Sequence, residues 1–194
     1  MRLIINLFLI VLCFGLVWVL YSSIREPIKF KAEKEMRDDA VIAKLIDIRK
    51  AQDAYRSIKG KFASDFDSLA QVLTEGKFAI IQVFGDPDDP TNTAAIRYDT
   101  IYKPAIDSMR VLGINLDSLR YVPYGEGSVF DIKADTMTYQ KTLVNVVEVG
   151  VRKRKYMGEF ADAKYQKYDH LYDPDATIKF GNMGAPNLSG NWER

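Results

Sequence analysis

The strongest constraint on this chain is an uncharged, apolar stretch that runs from Leu3 to Ile24. A helix of roughly 20 such residues spans the hydrocarbon core of a bilayer, which is about 30 Å thick. A helix in a soluble core would keep a polar stripe, and this stretch has none. Trp18 and Tyr21 lie near its end, where aromatic rings favour the lipid–water interface. We therefore predict a transmembrane anchor in residues 1–25, with the lipid bilayer as its first partner.

Two other interpretations of this stretch are a cleaved signal peptide and a lipoprotein signal that ends at Cys13. The apolar region is longer than in signal peptides, and the sequence Tyr21-Ser22-Ser23 is a poor cleavage site because it lacks the small-x-small pattern. A lipoprotein signal requires a small residue where Leu12 stands. The sequence thus favours an anchor that stays in the membrane.

The composition of the remaining chain excludes several classes of protein. The 194-residue sequence has 27 basic and 26 acidic residues, and this balance gives no general attraction to nucleic acid. Its only cysteine, Cys13, lies inside the apolar stretch, so the rest of the chain can form neither a disulfide nor a thiolate metal site. The chain beyond the anchor is nevertheless long enough to bury a hydrophobic core without disulfides or bound metals.

An amphipathic helix is predicted after Pro27, because the sequence through about Ser57 contains no glycine and no further proline. Val41, Leu45, Ile48 and Tyr55 recur at the spacing of one helical face. This apolar stripe must pack on the rest of its own domain or on a neighbouring subunit. We take these four residues as candidate interaction residues and keep both alternatives open.

The rest of the chain predicts a short helix and then strands. Gly60 ends the long helix, and Ser64 or Asp65 caps a short helix that Gly76 closes. Residues 26–75 are thus a long amphipathic helix plus a short helix, and residues 76–194 are the β-rich part of the same domain. The predicted strands lie at 77–84, 96–103, 129–134 and 143–151. A short helix is predicted at 115–119, a partly helical stretch at 152–168 and an irregular glycine-rich end at 180–192.

Together these elements predict an α+β fold. A transmembrane helix continues into a long amphipathic helix, which packs on an antiparallel β-sheet.

Residues 1–75 carry motifs that resemble a known family. Ile48-Arg-Lys-Ala-Gln-Asp-Ala-Tyr55 is followed by Gly60-Lys-Phe62 and by a short helix that contains leucine. This order, after an N-terminal membrane helix and a proline, is similar to type IV pilins and type II secretion pseudopilins. The opening Met1 to Asn6 lacks the glycine and the glutamate that flank the apolar run in pilin precursors. The resemblance therefore implies a pilin-like shape more than a filament.

The whole chain, with its Gly-Asn-Trp-Glu ending, also resembles uncharacterised single-pass envelope proteins of Gram-negative bacteria. Arg2 precedes the anchor, whereas several basic residues from Arg25 onward follow it, and the positive-inside rule alone would keep the domain cytoplasmic. The resemblance implies the opposite orientation. We expect an inner-membrane, single-pass protein whose domain is periplasmic.

One loop offers a candidate cation site. Asp86, Asp88 and Asp89 lie in a proline-stiffened segment, and hard cations such as calcium bind clustered carboxylate oxygens. The spacing is not that of an EF-hand loop. A solvated loop without calcium is the alternative, and no other cofactor is expected.

No set of residues predicts catalysis. His170 is the only histidine, and the sequence contains neither a P-loop nor a dinucleotide-binding glycine motif. Arg152 to Lys155 form a basic run near several tyrosines, which is more typical of a solvated face or a lipid-headgroup contact than of a nucleic-acid site. We expect a protein that is not an enzyme and binds no nucleic acid.

These features support two hypotheses about function. The first is a membrane-anchored, pilin-like structural or assembly component of a bacterial envelope complex, whose partners are other envelope proteins or copies of itself. The second is a membrane-tethered binding module that recognises a partner protein or ligand through its tyrosine-rich C-terminal half.

Overall fold

The first helix is continuous from the apolar stretch into the domain. The computed structural model describes residues 2–84 and 97–193, and within it α1 runs as one α-helix of 58 residues over Arg2–Lys59. At 1.5 Å per residue this helix is about 87 Å long. Pro27 lies inside α1, and because proline has no N–H group it leaves the carbonyl of Ser23 without its helical donor. The predicted anchor and the predicted amphipathic helix are therefore one element.

The turn after α1 and the short second helix agree with the sequence prediction. Gly60 has a φ of +73°, the left-handed conformation that glycine adopts most readily at the end of a helix. The Asp65 carboxylate accepts a hydrogen bond of 2.7 Å from the backbone N–H of Ser68 and so caps α2, Phe66–Glu75. Helix α2 buries one apolar face, formed by Phe66, Leu69 and Leu73.

The chain then forms a separate two-stranded ribbon. Strands β1, Lys77–Phe84, and β2, Arg97–Pro104, pair antiparallel along their whole length. Helix α3 comes directly afterwards at Ala105–Val111. The helix predicted at 115–119 is wrong: those residues form a turn, and the side-chain oxygen of Asn115 accepts from the backbone N–H of Asp117.

A second sheet contains the remaining strands. It has the order β3–β4–β5, with β3 at Asp131–Tyr139, β4 at Thr142–Arg152 and β5 at Thr177–Gly181, all antiparallel. The predicted single sheet is thus two sheets. The prediction of an irregular end is wrong at Phe180, which pairs with Val149.

Three short 3-10 helices lie between β4 and β5, at Lys153–Lys155, Gly158–Phe160 and Ala163–Lys167. They account for the partly helical stretch that the sequence predicts. Because each spans only three to five residues, this part of the chain depends on side-chain contacts more than on its own helical hydrogen bonds.

The apolar stripe of α1 lies in the core of its own chain. Val41, Leu45 and Ile48 are fully buried and Tyr55 is 6% exposed. Gln52 lies on the same face, where its side-chain amide donates to the carbonyl of Ala63 at 3.1 Å and accepts from the N–H of Ala63 at 2.9 Å. Of the two alternatives for the stripe, the structure shows packing on the rest of its own domain.

Leu45→Ala should destabilise the domain strongly, because it removes fully buried methyl groups and leaves a cavity. We expect a loss of about 2–5 kcal/mol in the free energy of unfolding, measured by chemical denaturation of the full chain in detergent micelles. Leu143→Ala is the matched control, since Leu143 is 73% exposed. Its effect should stay within about 0.5 kcal/mol. Equal losses in both variants would contradict the assignment of the stripe to the core.

Candidate functional site

The apolar half of α1, from Ile5 to Ile24, exposes its side chains all round. Its most apolar 18-residue window has a mean hydropathy of 2.5 and no buried residue. Water disfavours such a surface by about 25 cal/mol for each Å² of apolar area left exposed. Among the described residues this is the one helix long and apolar enough to span a membrane.

An aromatic cluster lies on α1 just beyond this apolar half. Phe30 is fully buried, and four rings from the segment with the 3-10 helices surround it. The Tyr165 ring stacks on Phe30 with centroids 5.2 Å apart, and Tyr172 meets it edge-on at 5.0 Å. Phe160 and Tyr168 complete this Phe30 cluster at 5.7 and 6.3 Å. Such aromatic pairs contribute about 0.5–1.5 kcal/mol each beyond the burial of their area.

Polar contacts tie the same segment to α1 around the Phe30 cluster. The Tyr168 hydroxyl donates a hydrogen bond of 2.6 Å to the carboxylate of Glu26, which lies in the first charged turn of α1. Two ion pairs add to it, Lys29–Glu159 at 2.6 Å and Lys34–Asp169 at 2.5 Å. The first pair is well exposed and contributes little, whereas the second is partly buried and is less screened by solvent.

A second polar group joins α1 to the start of the same segment. The Asp38 carboxylate accepts from the Tyr156 hydroxyl at 2.5 Å and from the Lys153 ammonium at 2.8 Å. The Arg37 guanidinium donates to the carbonyl of Tyr156 at 2.8 Å. All buried side-chain polar atoms of the described residues have a hydrogen-bond partner, so this junction leaves no unpaired group.

The environment of these contacts shifts several pKa values. Burial, together with the hydrogen bond to Asp38, raises the pKa of Tyr156 far above its usual value, and burial raises the pKa of Tyr172 to about 12. The hydrogen bond from Lys34 lowers the pKa of Asp169. The two tyrosines therefore stay neutral, and Asp169 stays charged, at any pH near neutrality.

The tyrosines between positions 156 and 172 are engaged within the chain. Tyr156, Tyr165 and Tyr172 are buried, and Tyr168 is half-buried in the Phe30 cluster. Their rings pack against α1 and each other rather than facing solvent. The sequence hypothesis of a tyrosine-rich binding face therefore has few free rings in this part of the chain.

Exposed apolar side chains are concentrated instead on the ribbon of β1 and β2. Ile81, Tyr98 and Tyr102 are 64%, 67% and 66% exposed, and the strand register places all three on one face. On the other face Ile80 lies opposite Ile101, and both are exposed. A two-stranded ribbon with such faces is at best marginally stable in water without a partner.

The predicted calcium residues Asp86, Asp88 and Asp89 lie outside the described residues. Within the parts of the chain that the structure does describe, no group of three His, Cys, Asp or Glu side chains is placed to hold a metal ion. His170 is exposed, next to Asp169.

The sequence prediction missed Phe30, which is the central contact between α1 and the segment before β5. A helical pattern shows only that Phe30 lies on the helix. Its four aromatic neighbours all lie between positions 160 and 172, far along the chain, so no local spacing pairs them with it. The one available signal was the unusual density of aromatic residues between positions 156 and 172.

Asp169→Asn should weaken the attachment of the segment to α1 and remove part of the acid sensitivity of the domain. Because Lys34 lowers the folded-state pKa of Asp169, its contribution is fully present above the unfolded pKa and is lost as the pH falls through the folded value. At neutral pH we expect a loss on the order of 1 kcal/mol, measured by thermal unfolding followed by circular dichroism.

The same variant should lose less stability than the wild type as the pH falls below the ordinary pKa of an aspartate, about 3.9, because only the wild type loses the contribution of the Lys34–Asp169 pair there. Asp39→Asn, an exposed aspartate on the same helix, is the control and should follow the wild-type pH profile. If Asp169→Asn and the wild type lose the same amount of stability as the pH falls, the Lys34–Asp169 pair does not stabilise the fold.

No family model, curated protein or solved structure matches the chain. The resemblance of residues 1–75 to pilins therefore rests on the motifs themselves. Any functional assignment has to come from three features of this molecule: the exposed apolar half of α1, the Phe30 cluster and the apolar ribbon.

Proposed function

We propose that this chain is a membrane-anchored structural or assembly component of a bacterial envelope complex. The observation that carries the proposal is the division of α1. Its first half exposes apolar side chains all round, and its second half forms the core of the domain. A chain built in this way holds a folded domain at a fixed place above a bilayer. This arrangement suits a scaffold better than a diffusing enzyme.

The ribbon of β1 and β2 supports the assembly part of the proposal. Its exposed face, with Ile81, Tyr98 and Tyr102, is apolar, and tyrosine is among the residues that most often supply the binding energy of an interface. No other described strand pairs with its outer edges, which can therefore accept a further strand. The partner is a protein with an apolar face or a free strand edge, which includes a second copy of this chain.

The pilin-like character and the envelope location rest on the resemblance in residues 1–75. The order of membrane helix, proline, amphipathic helix, short helix and antiparallel strands supports them. On this basis the chain is an inner-membrane, single-pass protein with its domain in the periplasm. The second hypothesis, a binding module that uses the tyrosine-rich C-terminal half, has less support in the segment before β5, because Tyr156, Tyr165 and Tyr172 are buried there. The exposed rings that remain for it, such as Tyr121 and Tyr124, lie elsewhere in that half.

A triple variant of the ribbon, Ile81→Thr, Tyr98→Thr and Tyr102→Thr, tests the assembly role. Threonine keeps the preference for a strand and removes the apolar surface. We expect crosslinking of the full chain to its neighbours in native membranes to fall roughly tenfold or more, the effect of losing interface residues that contribute at least about 1.4 kcal/mol together. The thermal unfolding temperature should hardly change, since these side chains are exposed.

Leu143→Thr is the control, because Leu143 is an exposed leucine at the start of a strand in the other sheet. It should crosslink as the wild type does. If the triple variant also crosslinks with wild-type yield, the ribbon is not the assembly surface.

A further inference from the structure

We infer that the segment Ala163–Tyr168 is a second membrane contact, which rests in the headgroup layer of the same bilayer that holds α1. This inference depends on the proposed membrane anchoring. It adds a contact from the folded domain, through the exposed Lys164 and Lys167 and the half-buried Tyr168, to the anchoring by α1.

The height of the segment above the bilayer follows from its bonds to α1. The apolar half of α1 ends at Ile24, and Glu26 is two residues beyond it, about 3 Å along the helix axis. The Tyr168 hydroxyl donates to Glu26 at 2.6 Å, and the Lys167 ammonium lies 3.9 Å from the same carboxylate. Since the headgroup layer extends about 5–7 Å beyond the hydrocarbon core on each side, these atoms lie within it.

The side chains of the segment have the chemistry of an interface contact. Lys164 and Lys167 are exposed, and their ammonium groups lie 4.9 and 4.4 Å from the ring centres of Tyr165 and Tyr168. Lysine and tyrosine both combine an apolar body with a polar tip, and both favour the boundary between hydrocarbon and water. On α1 itself, Arg25 and Tyr21 repeat the same combination at 5.8 Å.

The segment is held rigidly enough to act as a contact of fixed height. Tyr165 is buried against Phe30, and the Asp162 carboxylate caps the 3-10 helix by accepting from the backbone N–H of Lys164 at 2.9 Å. The acidic residues Glu159 and Asp162 offset the two lysines in charge. The contact therefore comes from interfacial partition, and we expect it in neutral and anionic bilayers alike.

Spin-label accessibility on the full chain tests this contact. A nitroxide is attached at Gln166→Cys in a Cys13→Ser background, and the chain is reconstituted in phosphatidylcholine vesicles with and without phosphatidylglycerol. Gln166 is exposed between Tyr165 and Lys167, so its replacement leaves the fold intact. Gln71→Cys, an exposed glutamine on α2, is the matched control. Ala163→Cys provides a second label in the segment.

The nitroxide at position 166 should be several-fold less accessible than the nitroxide at position 71 to a water-soluble nickel complex that speeds its spin relaxation. It should be more accessible to oxygen, which concentrates in the bilayer. Ala163→Cys should give the same result. Equal nickel accessibility at Gln166, Ala163 and Gln71 would overturn the inference.

A label on the native Cys13 shows whether a negative result at Gln166 concerns only the second contact or the anchoring by α1 as well. In the wild-type chain a label on Cys13, which is exposed on the apolar half of α1, should lie deep in the bilayer and be shielded from nickel. A shielded Cys13 with a fully accessible Gln166 removes only the second contact. An accessible Cys13 removes the membrane anchoring and the second contact together.

Discussion

In the proposed arrangement helix α1 lies in two solvents, lipid along its apolar half and water beyond it. From Ile5 to Ile24 its side chains project outward with no other described part of the chain covering them, and from Phe30 to Tyr55 it carries the buried face around which the domain is built. The change falls within one turn or so of Pro27, whose missing N–H frees the carbonyl of Ser23. In the proposed membrane arrangement that carbonyl lies at the end of the apolar half, where water from the headgroup layer can reach it. The proline is thus tolerated without a break in the helix.

The domain packs on this helix through contacts of different kinds at its two ends. Near the apolar half, the Phe30 cluster and the hydrogen bond from Tyr168 to Glu26 fasten a segment that has only short 3-10 helices of its own. At the far end, Gln52 binds both backbone groups of Ala63, and α2 covers the stripe. The ribbon of β1 and β2 is the exception, because it leaves apolar side chains on both faces exposed.

The sequence allowed the local features to be predicted and left the long-range ones open. The long apolar helix, its end at Gly60, a cap at Ser64 or Asp65 and the approximate strands β1 to β4 follow from spacing and residue type. Burial of the Leu45 stripe was one of two alternatives, because a helical period shows that a face is apolar but not what covers it. Strand β5 and the Phe30 cluster depend on partners far away in the chain. The division into two sheets depends on which strands pair, and propensity does not determine that.

The continuity of α1 through Pro27 is the claim on which the height of the domain and the second membrane contact both depend. Pulsed electron spin resonance between nitroxides on Cys13 and on Lys50→Cys, an exposed position of α1, measures it directly in vesicles. An unbroken helix separates these residues by about 55 Å. We predict a single narrow distance distribution close to that value. A broad distribution at clearly shorter distances would show a hinge at the proline and contradict the account.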